Sequence, residues 1–244
     1  MGTARRVRLV GPGRAGRSVA AGLAAAGWEV VGLVGRDDDP TDAAADVDLL
    51  VVATPDGAVA EVAAAMRPVP STVVAHLAGS LTLDSLAPHP RRASVHPLVP
   101  LPDPERGAER LRGAVMAVAG DPLAHEVVSA LGGRPVEVPD AERAAYHAAA
   151  CMAANHLVAL MGQVARVAAP VGLDLDAYLG LAAASLDDVA RLGPAAALTG
   201  PASRGDEATL ARHRAALAPE ERPAYDALAE AAARLAGRRR GAAG

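Results

Sequence analysis

Lysine and phenylalanine are absent from this chain of 244 residues, and cysteine occurs once, as Cys151. Aromatic residues make up only 2% of the sequence, so the stacking platforms that bind single-stranded nucleic acid are lacking. The net charge of -4 also argues against nucleic acid as the main partner. A single cysteine excludes an internal disulfide framework, which makes a reducing cytoplasm the expected compartment. Without lysine, any proton donor must be another residue type.

Long apolar runs are also missing from the sequence. No run reaches the ~18 residues that would span a bilayer, and Arg5 and Arg6 lead directly into a strand-like segment, so we expect neither a membrane span nor a signal peptide. No spacing of cysteine, histidine and carboxylate residues resembles a zinc site, so no metal is predicted. Hydrophobic residues nevertheless make up 51% of the chain, which is ample material for a core.

The first half of the chain alternates between strand-like and helix-like segments, which predicts an α/β fold with a doubly wound parallel sheet. Composition shifts near Pro139, and every long segment after it is typical of helices. We therefore predict an N-terminal dinucleotide-binding Rossmann domain over residues 1–138. An all-α domain for substrate binding and dimerisation follows over 139–237, and a disordered tail over 238–244.

A glycine-rich loop follows the first predicted strand and precedes a predicted helix. It consists of Gly11, Pro12, Gly13, Arg14, Ala15 and Gly16. Glycines let the backbone approach a pyrophosphate, and the helix N-terminus offers free amides and the positive end of a dipole. A GxGxxG pattern in this strand–helix context predicts a dinucleotide site. The alternative is a tight turn without a ligand.

The second predicted strand ends just before Arg36. About 20 residues past the loop, NAD-binding proteins usually present an acidic residue to the ribose hydroxyls. A guanidinium there suits a 2′-phosphate through paired hydrogen bonds, and Arg14 adds a second positive charge. We therefore expect NADP(H) rather than NAD(H). Three aspartates follow at 37–39; they either repel that phosphate or form a solvated turn, and we favour the turn.

Two further loops follow predicted strands and are expected to line the cofactor crevice. Thr54 and Pro55 come after the third strand, and Gly79 and Ser80 come after the fourth. Residues past the carboxyl ends of parallel strands meet at one edge of the sheet. Thr54 and Pro55 are therefore predicted to contact the dinucleotide, and Gly79 and Ser80 to lie close to its nicotinamide half.

Polar residues on a long apolar helix predict the position of the second reactant. His147, Cys151 and Asn155 are four residues apart and share one face of an α-helix. Such a row is either a buried helix–helix contact or the wall of a site, and the neighbouring dinucleotide loop favours a site. His96, at the end of a predicted strand, either joins this site or makes a structural hydrogen bond, and we include it among the catalytic candidates.

A Rossmann domain, then a long helix with polar residues, then a helical domain resembles the 6-phosphogluconate-dehydrogenase-like superfamily. More closely, the chain resembles Rossmann-like proteins with a C-terminal domain of unknown function. Some of these are an alternative form of ketopantoate reductase. The residues that carry this resemblance are 11–16, 76–80, 96–97, 146–147 with 155–160, and 198–201 with 204–206.

The chain departs from the standard ketopantoate reductases on the long helix. Those enzymes carry a lysine there, with asparagines one and two turns later. If Asn155 matches the second asparagine, His147 falls on the lysine; in a register taken from the β-hydroxyacid dehydrogenases, Cys151 does. The lysine is missing in either register. An imidazolium can deliver a proton near neutral pH, so His147 is the predicted proton donor and Asn155 the substrate anchor.

The resemblance implies an NADPH-dependent reductase of a small oxo-acid, with 2-dehydropantoate as the first expectation. The first alternative is a reductase of a cyclic imine, which depends less on a strong acid. The second is a catalytically silent NADP(H)-binding sensor or assembly protein. The alanine-rich C-terminal helices carry more apolar surface than a small domain buries, which predicts a homodimer through this half.

Overall fold

The computed structural model describes residues 4–242, with side chains up to residue 237. Its strands are Arg6–Val10 (β1), Glu29–Val34 (β2), Leu49–Val52 (β3), Val73–His76 (β4), Arg92–Pro97 (β5), Val115–Gly120 (β6) and Arg134–Glu137 (β7). They form one sheet in the order β2-β1-β3-β4-β5-β6-β7. The predicted fold, an α/β Rossmann-like domain followed by a helical region, is confirmed.

The sheet departs from the predicted all-parallel arrangement at one side. β1 to β5 are parallel, whereas β6 is antiparallel to β5 and β7 is parallel to β6. The segment between β5 and β6 starts and finishes at the same end of the sheet. The last residue of β5, Pro97, therefore pairs with Met116, near the start of β6. An antiparallel strand at the side of a mostly parallel sheet is common in doubly wound folds.

The helices of the first unit cover both faces of this sheet. They are Arg14–Ala25 (α1), Val59–Ala65 (α2), Pro104–Leu111 (α3), Leu123–Ala130 (α4) and Arg143–Cys151 (α5). Successive strand residues point to opposite faces, so Leu9 packs with the α1 side chain Leu23 in one core. Val10 packs with the α2 side chain Val59 in the other. β2 and β3 flank β1, which opens a crevice at the carboxyl ends of these strands.

The second unit consists of helices. They are Leu157–Ala168 (α6), Leu175–Leu192 (α7), Pro194–Ala197 (α8), Pro201–Arg204 (α9), Glu207–Ala216 (α10) and Arg222–Ala242 (α11). An ion pair ties α6 to the turn before α11: Arg166 Nη2 lies 3.1 Å from Glu221 Oε2, and Gln163 donates to the Glu221 carbonyl at 2.8 Å. Burial within the unit is sparse, because only Ala168 and Ala236 are buried among its described hydrophobic residues.

The boundary between the units lies later in the chain than the sequence indicates. The compact units are Met1–Ala154 and Asn155–Gly244, whereas the composition shift places the boundary at 138/139. The reason is α5, which belongs to the first unit through the fully buried Arg143. The end of the chain also differs from the sequence prediction, because α11 continues to Ala242 where a disordered tail from residue 238 is expected. Residues 1–3 and 243–244 lie outside the described part.

The long helix predicted after residue 141 is interrupted. A π-helical turn, Met152–His156, separates α5 from α6. Together with its flanking turns, the helical stretch Asp140–Val171 is long and apolar enough to cross a membrane by length and composition, and its most apolar window has no buried residue. A search of the sequence for uninterrupted apolar runs does not find this stretch, because isolated polar residues divide it.

Candidate active site

The glycine-rich loop joins the carboxyl ends of three strands. Gly11 has a left-handed backbone with φ +93°, and its amide donates to the Val34 carbonyl of β2 at 2.9 Å. A Cβ at this position would lie 2.8 Å from the carbonyl of Ala53, directly after β3. The backbone angle and the close approach both require glycine. The loop therefore leaves β1 in tight contact with the ends of β2 and β3.

Helix α1 begins immediately after this turn with an open N-terminus. Gly13 is its N-cap, no side chain caps the first amides, and no acidic residue occupies the first turn. A Cβ on Gly13 would meet no atom within 4 Å, so open space borders the amide end of the helix. Free amides at the positive end of a helix dipole suit a phosphate group.

Arg14 and Arg36, the two arginines expected to bind the 2′-phosphate, are exposed. Within the described residues, neither Arg14 nor Arg36 forms a salt bridge. The acidic residues after Arg36 organise the turn: Asp38 accepts from the Gly35 amide at 2.7 Å, and Asp39 accepts from the Thr41 amide at 2.9 Å. Those bonds support the interpretation of this acidic segment as a turn, and they leave both guanidinium groups available to an anion.

The loops after β3 and β4 meet each other. The Ser80 hydroxyl donates to Asp56 Oδ2 at 3.4 Å, which joins the segment containing Thr54 and Pro55 to the one containing Gly79. The Thr54 hydroxyl oxygen is buried without a hydrogen-bond partner in the described structure. An unpartnered buried hydroxyl beside the Gly11 turn fits a contact to a polar ligand in the crevice.

Two histidines and a tyrosine form a cluster around Gly79. His96 Nδ1 lies 2.7 Å from the Tyr146 hydroxyl, and the His96 and His147 rings are 5.6 Å apart at an interplanar angle of 85°. A Cβ on Gly79 would collide with the His147 ring and lie 2.9 Å from His96 Nε2. The missing side chain at residue 79 therefore lets the two imidazoles approach one loop.

The hydrogen-bonded pair in this cluster is uncharged near neutral pH. Burial, together with smaller effects of nearby His147, Arg143 and His76, lowers the pKa of His96 to about 4. Burial also raises the pKa of Tyr146 above its ordinary value. A neutral imidazole and a neutral phenol joined by one short bond can pass a proton along it.

Sequence reasoning identified part of this cluster and missed part. It selected His96, His147, Gly79 and Ser80, which the structure brings to one edge of the sheet. Tyr146 is not among the predicted site residues, because a helical step of about 100° turns it away from the row that begins at His147. The signal that could have found it is the strand-end histidine, since a buried imidazole needs a partner.

Asn155 does not continue the α-helical row formed by His147 and Cys151. Cys151 Sγ lies 3.9 Å from His147 Nε2, as expected one α-helical turn later. Between Cys151 and Asn155 the chain enters the π turn, which has wider i→i+5 bonding and breaks the α-helical row. Asn155 is exposed and begins the second unit, so its assignment as substrate anchor stays a prediction.

Beneath the cluster lies His76, the last residue of β4, which is fully buried. Neither of its ring nitrogens has a hydrogen-bond partner in the described structure. Burial and, to a smaller extent, nearby Arg143 lower its pKa to about 4, while the Thr82 backbone, Asp56 and Asp140 oppose this shift. Among the described residues, no group of three histidine, cysteine or acidic side chains could hold a metal ion.

Comparison with solved structures shows the same fold across nearly the whole chain. A proposed NADP oxidoreductase from Bacteroides fragilis superimposes with a TM-score of 0.78 and 20% identity, over 95% of this chain and 98% of that one. A reductive aminase from Aspergillus terreus, in complex with NADPH4, cyclohexanone and allyl amine, gives 0.68 and 20% over 95% and 94%. The 1-pyrroline-5-carboxylate reductase of Streptococcus pyogenes gives 0.64 and 14% over 94% and 98%.

A family model also matches part of the sequence. Residues 116–232 match the family described as Domain of unknown function (DUF2520). This match agrees with the resemblance to Rossmann-like proteins that have a C-terminal domain of unknown function. No curated protein matches the sequence.

The buried imidazole of His76 predicts a dependence of stability on pH. Its pKa in the folded state, about 4, lies below the ordinary value of 6.5. The unfolded chain therefore binds more protons between these values, so the free energy of unfolding falls as the pH decreases from 6.5 towards 4. Glutamine is neutral throughout, so His76→Gln should remove up to about 3 kcal/mol of this fall. Urea unfolding across this pH range measures it.

The matched control is His156→Gln, because His156 is exposed and makes no hydrogen bond or salt bridge with the other described residues. This variant should keep the wild-type dependence on pH. If His76→Gln and wild type lose stability in parallel as the pH falls, His76 is not the buried neutral group described above.

Proposed function

We propose that this chain is an NADP(H)-dependent reductase that acts on the C=N bond of an imine. The observation that carries the proposal is the uncharged His96–Tyr146 pair beside Gly79, in the same unit as the open glycine loop. Bound NADPH would supply a hydride to the substrate carbon. The residues of this chain would bind the dinucleotide, hold the imine against Gly79 and manage the proton on nitrogen.

The residues of the crevice fit a dinucleotide. The uncapped N-terminus of α1 would bind the pyrophosphate, and the Thr54 hydroxyl has hydrogen-bonding capacity to spare. Pro55 and Ser80 complete the loops that border it. Arg36, with Arg14, would hold the 2′-phosphate, which is the reason for proposing NADP(H). The NADP oxidoreductase and the reductive aminase of similar fold support this choice.

An imine substrate matches the charge state of the cluster better than a ketone does. A ketone needs a proton on its oxygen as hydride arrives, but His96 is neutral near pH 7 because its pKa is about 4. An imine can enter already protonated on nitrogen. A neutral imidazole does not repel that cation, and the Tyr146 hydroxyl can accept a hydrogen bond from it or return a proton to nitrogen.

The comparisons support the imine reading over the oxo-acid reading. The structures of similar fold include a reductive aminase and a 1-pyrroline-5-carboxylate reductase. Reduction of 2-dehydropantoate finds no support among them. A catalytically silent NADP(H)-binding protein would need the glycine loop to bind its ligand, but it would not need the His96–Tyr146 hydrogen bond.

We expect NADPH oxidation with cyclic imines and only weak oxidation with 2-dehydropantoate and other oxo-acids. Tyr146→Phe removes the hydroxyl bonded to His96 and should lower kcat/KM about 100-fold with NADPH affinity unchanged. Steady-state rates and fluorescence titration of NADPH measure the two quantities. The matched control is Tyr178→Phe on α7, which should keep the wild-type rate.

His147→Ala tests His147 itself, the residue that the sequence predicts as the proton donor. Loss of turnover in His147→Ala with a wild-type rate in Tyr146→Phe would transfer the proton-donating role to His147. Tight NADPH binding without oxidation by any imine or oxo-acid would overturn the enzyme reading in favour of a sensor.

The choice of NADP(H) has its own test at Arg36. Arg36→Ala should raise the Kd of NADPH by about tenfold or more, through loss of the charged hydrogen bonds to the 2′-phosphate, and leave the Kd of NADH unchanged. The matched control Arg134→Ala, at an exposed position on β7, should change neither. Equal weakening of both cofactors in Arg36→Ala would contradict the 2′-phosphate assignment.

We also propose that the second unit pairs with that of a second copy of the chain in the cytoplasm. Its described residues bury only two hydrophobic side chains, too few for a helical unit of this length to be stable alone. Large apolar side chains are instead exposed, among them Val158 at 72% and Leu181 at 66%. Such a surface marks an interface, and polar residues such as His147 and Arg166 along the same helical stretch favour protein over lipid.

Sedimentation of the purified chain should show a dimer at micromolar concentration. Leu181→Glu places a charge on the proposed interface and should shift the population to monomer. Val136→Glu places the same charge on an exposed apolar side chain of the first unit, on β7, 48% exposed, and should leave the dimer intact. A monomeric wild type, or one that binds lipid vesicles instead of itself, would exclude the dimer.

A further inference from the structure

Arg143 is the largest fully buried side chain in the described structure. Its Nη2 donates to the Ala78 carbonyl at 3.0 Å and to the Ser94 hydroxyl. Its Nε and Nη1 are buried without a hydrogen-bond partner in the described residues. A guanidinium buried in this way costs stability compared with an apolar side chain of similar size. Stability alone therefore does not account for an arginine at this position.

The bonds of Arg143 reach every segment that builds the cluster. Ala78 directly precedes Gly79, the residue against which both imidazoles pack. Ser94 lies two residues before His96 on β5, so their side chains point to the same face of the sheet. Tyr146 and His147 follow Arg143 by three and four residues on α5, so they share its side of the helix. One guanidinium thus links the β4 loop, β5 and α5.

Several charged or titratable groups act on His96. Tyr146, His147 and Arg143 face it from α5, and His76 reaches it from β4. Asp56 and Asp140 act on His76. Burial is the largest cause of the low pKa of His96, followed by His147 and then Arg143. Arg143 is the only permanent positive charge among these groups, because guanidinium does not titrate in proteins.

We infer that Arg143 is a positioning residue for the reaction proposed above. Through Ala78 and Ser94 it holds Gly79 and His96 against Tyr146, and its fixed positive charge further disfavours protonation of a His96 ring that burial already keeps uncharged. The inference rests on the proposed function for its kinetic consequences. The bonds and the charge act on His96 whether or not an imine is the substrate.

The first test replaces Arg143 with methionine, which is similar in length and uncharged. NMR titration of the histidine ring protons follows His96 directly in the cofactor-free protein. Loss of the positive charge should raise the pKa of His96 from its value of about 4, because a neighbouring positive charge disfavours the protonated ring. Once a substrate has been identified, the kcat of Arg143→Met should be about tenfold or more below that of the wild type, because His96 is misplaced. The Kd of NADPH should stay unchanged, and the acid limb of the pH profile of kcat/KM should move upward with His96.

A second variant, Ser94→Ala, separates position from charge. It removes one bond of the guanidinium but leaves the charge in place, so the pKa of His96 should stay at about 4 while kcat falls. It also tests the inference if Arg143→Met does not fold. Wild-type kcat in Ser94→Ala would overturn the positioning role. An unchanged titration of His96 in folded Arg143→Met, together with a large drop in Tm, would reduce Arg143 to a structural residue.

The proposed function and the role inferred for Arg143 can be disproved independently of each other. If the wild-type protein oxidises NADPH with no imine, the proposed function is wrong, but the titration of His96 in Arg143→Met still tests the link between the two residues. If turnover is found and the titration does not move, the function stands and the inference about the Arg143 charge is wrong.

Discussion

The close approach of backbone at Gly11 is the constraint on which the rest of the site depends. Its amide is bonded to the end of β2, and its α-carbon leaves no room for a side chain beside the end of β3. This contact sets where α1 begins, and therefore where its free amides lie. It also brings the loop after β3 next to the glycine turn, so that Thr54 and Asp56 border the same crevice.

Burial sets the charge of the imidazoles in this site. His76, His96 and Arg143 place nitrogen-rich side chains under the loop after β4, where water is largely excluded. Desolvation then favours uncharged imidazoles, and the fixed charge of Arg143 acts in the same direction. The His96–Tyr146 pair is therefore uncharged near pH 7 and holds no imidazolium proton on His96 for a carbonyl oxygen. The chemistry we propose is a consequence of this electrostatic setting as much as of the residue types.

Much of the fold and part of the site could be predicted from the sequence. The alternation of apolar strands with helices predicts the α/β class, and the GxGxxG pattern between a strand and a helix predicts the loop. These signals are local, since each depends on spacing within a few residues. Gly79, Ser80 and His96 were identified on similar grounds, because residues after parallel strands meet at one edge of the sheet.

Long-range partners could not be predicted in this way. The bond between His96 and Tyr146 joins residues fifty positions apart, and the bonds of Arg143 to Ala78 and Ser94 span 65 and 49 positions. No periodicity encodes such pairs, because they depend on how a helix packs beside a strand. The boundary between the units moved from Pro139 to Asn155 for the same reason: composition marks the start of helices but not the sheet against which α5 is buried.

The sequence by itself determined the strand–loop–helix unit at Gly11, the arginine at residue 36 and the absence of any lysine acid. Each follows from residue identity and local backbone preference. Only the tertiary structure decided that Tyr146 completes the histidine cluster, that Arg143 is bonded to the segments that build it, and that the α-helical row of His147 and Cys151 ends in a π turn that contains Asn155. Burial and hydrogen bonding between distant segments set the charge of His96, and these exist only once the chain is folded.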